Sequence, residues 1–194
     1  MEGDWETRGN VPMLLFAIPD DTARTNLSGY VLADNVENLE FTAAVGGRGN
    51  GLANHIWLSV LDGLGVALDG GAGNDTLNGG SGDDVYQFTT GDGRDVLDDS
   101  DGVDTLVFGT GVQAANVAVT RDGASLVLTL NEQDSVRINN TAGNNVIDQV
   151  KFADGTLWYA KSDGSGFNAS LTGSVSIQGQ ATQGQTLTLV NTLA

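Results

Sequence analysis

Asp75 and Asp84 hold the same place in two consecutive nine-residue stretches, Gly70–Asn78 (GGAGNDTLN) and Gly79–Gln87 (GGSGDDVYQ). Both fit one pattern, G-G-x-G-x-D-x-U-x with U a large apolar residue, and Leu68, Leu77 and Tyr86 keep the same nine-residue phase. The chemistry open to such a pattern is the capture of a hard cation. Calcium takes about six to eight oxygens in a flexible arrangement. Six residues reading GGxGxD can supply backbone carbonyls, which the glycines allow to aim inward, together with one carboxylate. The three residues that follow form a short strand whose U side chain points into a core. A plain Gly/Asp-rich linker is the alternative, but it gives no reason for two copies to keep phase in tandem.

The composition agrees with a cation. Twenty-five acidic residues against eight basic ones give a net charge of −17, and twenty of the acids are Asp. Asp and Gly are turn residues, and Asp is a compact oxygen ligand, whereas Glu favours helix. Between Asp62 and Asp104 stand eleven Asp and a single base, Arg94. A segment so charged repels itself unless cations are bound, which makes calcium part of the fold. The same acidity argues against DNA, RNA and anionic membranes as partners, since each selects Lys/Arg clusters. There is no cysteine, so no disulfide can staple the chain and metal ions are left to do so. No stretch is long enough to span a bilayer, so no membrane insertion is expected. Val11–Ile18 is short, cut by Pro12, followed by Pro19 and preceded by acidic residues, which makes it a poor signal peptide.

The two nonapeptides resemble the calcium-binding repeats of the RTX (repeats-in-toxin) proteins. That resemblance implies an all-β, right-handed parallel β-roll with a flanking β-rich cap. In that family one coil takes two nonapeptides, so turns alternate between two sides and stack every eighteen residues. Gly70–Asp75 and Gly79–Asp84 would then lie on opposite sides and share no ion. The forward partner of Gly70–Asp75 would be Phe88–Gly93, which points to a first site of Asp75, Asp92 and Asp95 with carbonyls near Gly71 and Gly73. The forward partner of Gly79–Asp84 would be Leu97–Gly102, which points to a second site of Asp84 with Asp99, Asp101 or Asp104 and carbonyls near Gly80 and Gly82. Upstream, Leu52–Trp57 offers no carboxylate and Leu61–Val66 only Asp62. Asp83, at a variable place of the pattern, reads as a solvated turn residue. Leu61–Asp69 keeps the phase but carries Val66 where Asp75 and Asp84 stand later, so its turn should bind calcium weakly or not at all.

Around this centre the chain divides into five stretches. Residues 1–26 show no period and read as an irregular N-terminal segment. Residues 27–60 alternate in short runs, Ser28–Leu32 and Val36, Leu39 and Phe41, followed by the Asn-rich Gly49–Ile56. They resemble the coils that precede RTX repeats, with Asn in place of Asp, although an ordinary β-meander would also fit. Residues 61–101 are the roll. Residues 102–160 resemble the cap of haemolysin-type calcium-binding proteins, most closely at Val150–Trp158. Asp122-Gly123 and Asp154-Gly155 are its hairpin signals, and Ser135–Asn139 is a further strand. Residues 161–194 read as a Gly/Ser linker, Lys161–Phe167, and two strands, Ser174–Gln178 and Gln185–Val190, like the opening of an adhesin Ig-like repeat. Their unpaired edges would favour a homo-oligomer.

The resemblance implies a secreted bacterial module, extracellular or at the cell surface and exported by type I secretion, that folds on calcium. Asn191–Ala194 shows no such export signal, so the chain reads as part of a larger adhesin-like protein whose neighbouring domains are its partners. The alternative is an accessory module of a secreted hydrolase, a lipase, glycosidase or protease. Catalytic signals in the chain itself are thin. His55 is the only histidine, which excludes HExxH and His-rich zinc sites, and it sits beside Ile56 and Trp57 in a structural context. No G-x-S-x-G elbow, phosphate loop or dinucleotide motif is present, and Ser81 and Ser165 lie in Gly-rich contexts. Carboxylates abound, but no apolar setting singles out a pair for glycoside hydrolysis.

Overall fold

The computed structural model describes residues 20–43, 46–59, 63–139, 146–169, 175–178 and 188–191. The expectations for residues 1–19, Asp62, Ser174 and 185–187 lie outside these. The first ten strands alternate between two sheets. β1 (Thr22–Thr25), β3 (Asn38–Phe41), β5 (His55–Leu58), β7 (Thr76–Asn78) and β9 (Arg94–Leu97) lie in one sheet. The other holds β2 (Tyr30–Val31), β4 (Gly47–Arg48), β6 (Ala67–Asp69), β8 (Val85–Phe88) and β10 (Thr105–Phe108). Within each sheet neighbours pair in parallel with the strand two places on. The chain therefore winds as a β-solenoid of about four turns, and the meander alternative for residues 27–60 is replaced by coils. Among the described residues there is no α-helix, only a 3-10 turn at Ala114–Asn116.

The winding follows from the side chains that face inward. Leu39, Ile56, Leu77 and Leu97 line one sheet and Leu68, Tyr86 and Leu106 the other, all buried. Each coil supplies only a few such residues, and burying one contributes about 1.5–3 kcal/mol. A core this thin leaves the balance to the turns, where the charge is.

Coil length departs from the eighteen-residue expectation. Ala67 pairs with Val85, eighteen residues on, but Thr76 pairs with Val96 and Val85 with Thr105, twenty on. The extra two residues sit in Val85–Thr89, where Phe88 follows Tyr86 into the core as a second inward side chain. The facing turns are accordingly Thr90–Asp95 and Asp99–Asp104, two residues later than Phe88–Gly93 and Leu97–Gly102. A backbone bridge between Gly73 and Gly93 marks the new register.

Both sheets end in antiparallel strands. β9 is followed in its sheet by β13 (Ser135–Ile138), β12 (Ser125–Thr129) and β11 (Ala118–Asp122). β10 is followed by β14 (Gln149–Lys151), β15 (Leu157–Ala160) and β16 (Phe167–Ala169). The hairpin expected at Asp122-Gly123 turns one residue later, at Gly123-Ala124, since Asp122 still pairs with Ser125. Lys161–Phe167 is not a free linker. It connects β15 to β16, and Phe167 stacks on Trp158 at 6.3 Å, ending an aromatic row through Phe88, Phe108 and Phe152. β17 (Val175–Gln178) and β18 (Thr188–Asn191) form a separate antiparallel pair.

Candidate metal centres

Each aspartate at the sixth place of a turn leans back on the coil before it. Asp75 Oδ1 accepts the Asn54 N–H at 2.7 Å, and Asp95 Oδ1 accepts that of Asp75 at 3.0 Å. On the opposite side Asp84 Oδ1 accepts the Val66 N–H at 2.7 Å and Asp104 Oδ1 that of Asp84 at 2.8 Å. Asp75 and Asp84 thus stand on different flanks, because one chain crossing separates their turns. These bonds use one oxygen of each carboxylate. The Oδ2 atoms of Asp75, Asp84 and Asp95 are buried with no hydrogen-bond partner. A buried anionic oxygen left unpaired is strongly unfavourable. These orphaned oxygens are what a hard cation would satisfy.

The protonation equilibria carry the same strain. Burial pushes the Asp75 carboxyl up to about 7, against the Asn54 hydrogen bond and with help from Asp92 and Asp69. Asp95 rises to about 8 through burial and the charges of Asp75, Asp92 and Asp69. Asp104 rises to about 8 through burial and the charges of Asp99, Asp84 and Asp148. Asp84, Asp92 and Asp99 also move up, burial being the largest cause in each. Glycine makes room for these oxygens. A Cβ on Gly70 would run into Asp75 Oδ2, and one on Gly79 into Asp84 Oδ2.

The two flanks differ. One carboxylate oxygen from each of Asp84, Asp99 and Asp104 lies within 4.8 Å of the others, and all three residues are buried. Asp101, offered by sequence as an alternative ligand, is exposed and accepts the Gly102 N–H at 3.1 Å, outside the trio. Asp83 is exposed, with its carboxylate on the Val103 N–H. Asp75, Asp92 and Asp95 are buried and feel one another's charge, but they do not converge in the same way. Asp92 Oδ2 is drawn to the Thr89 N–H at 2.6 Å. Of the four glycines, Gly73 and Gly82 bring their carbonyls against Gly93 and Gly102 of the facing turns. The Gly80 carbonyl accepts the Ser100 N–H at 3.1 Å, and Gly71 gives its N–H to Asp69 Oδ1 at 2.9 Å.

Several residues of these flanks were not singled out by spacing. Asp69, paired with Arg48 at 3.3 Å, adds its charge to the first flank. Asp148 Oδ2 accepts the Asp104 N–H at 3.0 Å, and Asp134 accepts those of Gly91 and Gly93, each at 3.1 Å. Burial pushes Asp134 up, but its hydrogen bonds from Asn131, Gly91 and Gly93 outweigh that and hold it below the ordinary value. The usable signal was the tripeptide D-x-U, which recurs at Asp134-Ser135-Val136 and Asp148-Gln149-Val150.

In the coils upstream, amides stand where the acids stand later. Asn54 Nδ2 donates to the carbonyls of Val36 and Glu37, each at 3.2 Å, and Asn50 Nδ2 to those of Ala33 and Val36, each at 2.7 Å. Inward carbonyls are met there by N–H groups of the chain itself. His55 faces outward against Trp57, ring centroids 4.7 Å apart.

Residues 126–161 match the family model described as the haemolysin-type calcium binding protein related domain. No curated protein matches the chain. The matched residues run from β12 to the end of β15 and into the next turn, so they supply two strands to each sheet, without the edge strands β11 and β16, and contain Asp134 and Asp148. That family implies calcium, and the trio of Asp84, Asp99 and Asp104 could hold such an ion. The chain therefore joins a segment similar to the haemolysin-type calcium binding protein related domain, at residues 126–161, to a β-solenoid consistent with an RTX β-roll.

Proposed function

We propose that this chain is a calcium-dependent folding module, binding one ion on each flank of the roll, in a secreted, adhesin-like bacterial protein. The observation that carries the reading is the set of three buried carboxylate oxygens, on Asp75, Asp84 and Asp95, that no protein group satisfies. The first ion would be held by Asp75, Asp92 and Asp95, the second by Asp84, Asp99 and Asp104, each with carbonyls of the stacked turns. Where calcium is scarce, mutual repulsion of the carboxylates keeps the turns apart and the chain open enough for export. Outside the cell, calcium binds only the wound form and draws the equilibrium toward it. Secretion and an adhesin parent rest on the RTX resemblance and on the Ig-like character of the tail. Circular dichroism of the chain with calcium and with excess chelator tests the reading. The expected result is a β-sheet signal that grows on adding calcium and shrinks on chelation; superimposable spectra would refute it.

A further inference from the structure

We propose that Tyr86 is a positioning residue for the second ion, acting through Asp99, and that it makes this ion the tighter-held of the two. The inference rests on the calcium reading above. Tyr86 occupies the U place of its nonapeptide, where neighbouring coils have Leu68, Leu77 and Leu106, and like them it is fully buried. A leucine at that place ends in the core. The tyrosine reaches further, and its hydroxyl emerges among the second flank's carboxylates. There it accepts the Gly79 N–H at 2.8 Å and donates its own proton to Asp99 Oδ2. A phenol has one proton to give and can still accept, so both bonds form at once. The space is opened by Gly79, where a Cβ would lie 2.7 Å from the hydroxyl and would collide with Asp84 Oδ2.

Asp99 is itself a departure from the repeat. With Asp104 stacked on Asp84, Asp99 falls where the turn below has Gly79. Its Oδ1 accepts the Ser100 N–H and its Oδ2 the Tyr86 hydroxyl. Held at both ends, the carboxylate is fixed in direction before an ion arrives, which lowers the ordering that binding would otherwise require. The first flank has Leu77 at the matching place, and no phenol steadies Asp92 there. Among the described residues, only the second flank gathers three carboxylates within 4.8 Å.

Calorimetric titration of the full chain with calcium separates the possibilities. Two ions are expected, and Tyr86→Phe should weaken one by about tenfold, the scale of a lost hydrogen bond to a charged group, while sparing the other. Asp99→Ala should weaken the same ion, and adding Tyr86→Phe to it should change nothing further. Equal weakening of both ions, or additive losses in the double variant, would mean the hydroxyl only supports the fold. Terbium, which takes calcium's oxygen ligands, gives a spectroscopic check. Its emission excited through the tyrosine band should persist in Asp75→Asn and fall in Tyr86→Phe; persistence in both would overturn the proposal. A wild-type chain that takes up no calcium would remove the functional reading as well. One that binds two ions, with affinities untouched by Tyr86→Phe, would remove the Tyr86 proposal alone.

Discussion

Asp84 shows how one residue is divided between two tasks. Its Oδ1 caps the coil below, and its Oδ2 lies buried without a partner beside Asp99 and Asp104. Replacing Asp84 by Asn keeps an acceptor for the Val66 N–H and exchanges the orphaned oxygen for a donor that its acidic neighbours can receive. Asp84→Asn should therefore stabilise the calcium-free chain, by about 1–3 kcal/mol, while removing one ion from the titration. Thermal unfolding in chelator, set beside calcium binding, checks both halves. Asp75 and Asp84 could be found from sequence because glycine fixes their phase. Asp134 and Asp148 carry only the short D-x-U signal, with no glycine phase to tie them to turns more than forty residues away whose N–H groups they cap. Nothing about Tyr86 as a letter distinguishes a ring that ends in the core from one whose hydroxyl passes beyond it.

Among the elements, the coils fall into two kinds according to what meets their inward carbonyls. In the turns before β5, the amides of Asn50 and Asn54 donate to the carbonyls of Ala33, Val36 and Glu37. In the turns flanking β8 and β9, buried carboxylates crowd together instead. The first kind needs no ion. Hydrogen exchange in chelator should leave the amides of β3 and β5 protected while those of β8, β9 and β10 exchange; uniform loss along the chain would contradict this division. That the Asn-rich stretch winds with the roll was readable only through its resemblance to the coils that precede RTX repeats, since its alternation alone also fits a meander. The length of the coils was not. Val85–Thr89 takes five residues where the repeat takes three because Phe88 also turns inward, and a template counted in nines does not register a second buried side chain. Spacing also misjudged the Gly/Ser stretch after Lys161, where Phe167 pairs back onto β15 and is held by an aromatic contact to Trp158.

For the molecule as a whole, the net charge of −17 and the raised carboxyls of the roll set the response to pH. Without calcium, Asp75 titrates at about 7 and Asp95 and Asp104 at about 8, against 3.8 for a free side chain. The wound form therefore holds protons that the unfolded chain releases. Stability from this source is fully present below about pH 4 and is lost as pH rises through 7 and 8. In chelator, the midpoint of thermal unfolding should fall between pH 5 and pH 8. In saturating calcium the ions take the protons' place, so the fall should vanish, and calcium affinity should climb across the same window. A midpoint in chelator that rises with pH would mean these carboxylates are not crowded as described. The switch of both sheets from parallel to antiparallel pairing, at β13–β11 and β14–β16, gives the molecule a direction. A further coil laid against β1 and β2 would meet strands running its own way, with corners ready to stack. At the opposite end the outermost strands have already doubled back, and the fully exposed β11 carries Arg121 and Asp122 along its rim. Duplication of a nonapeptide pair can lengthen such a spiral from within or from one end, while the other acts as a stopper.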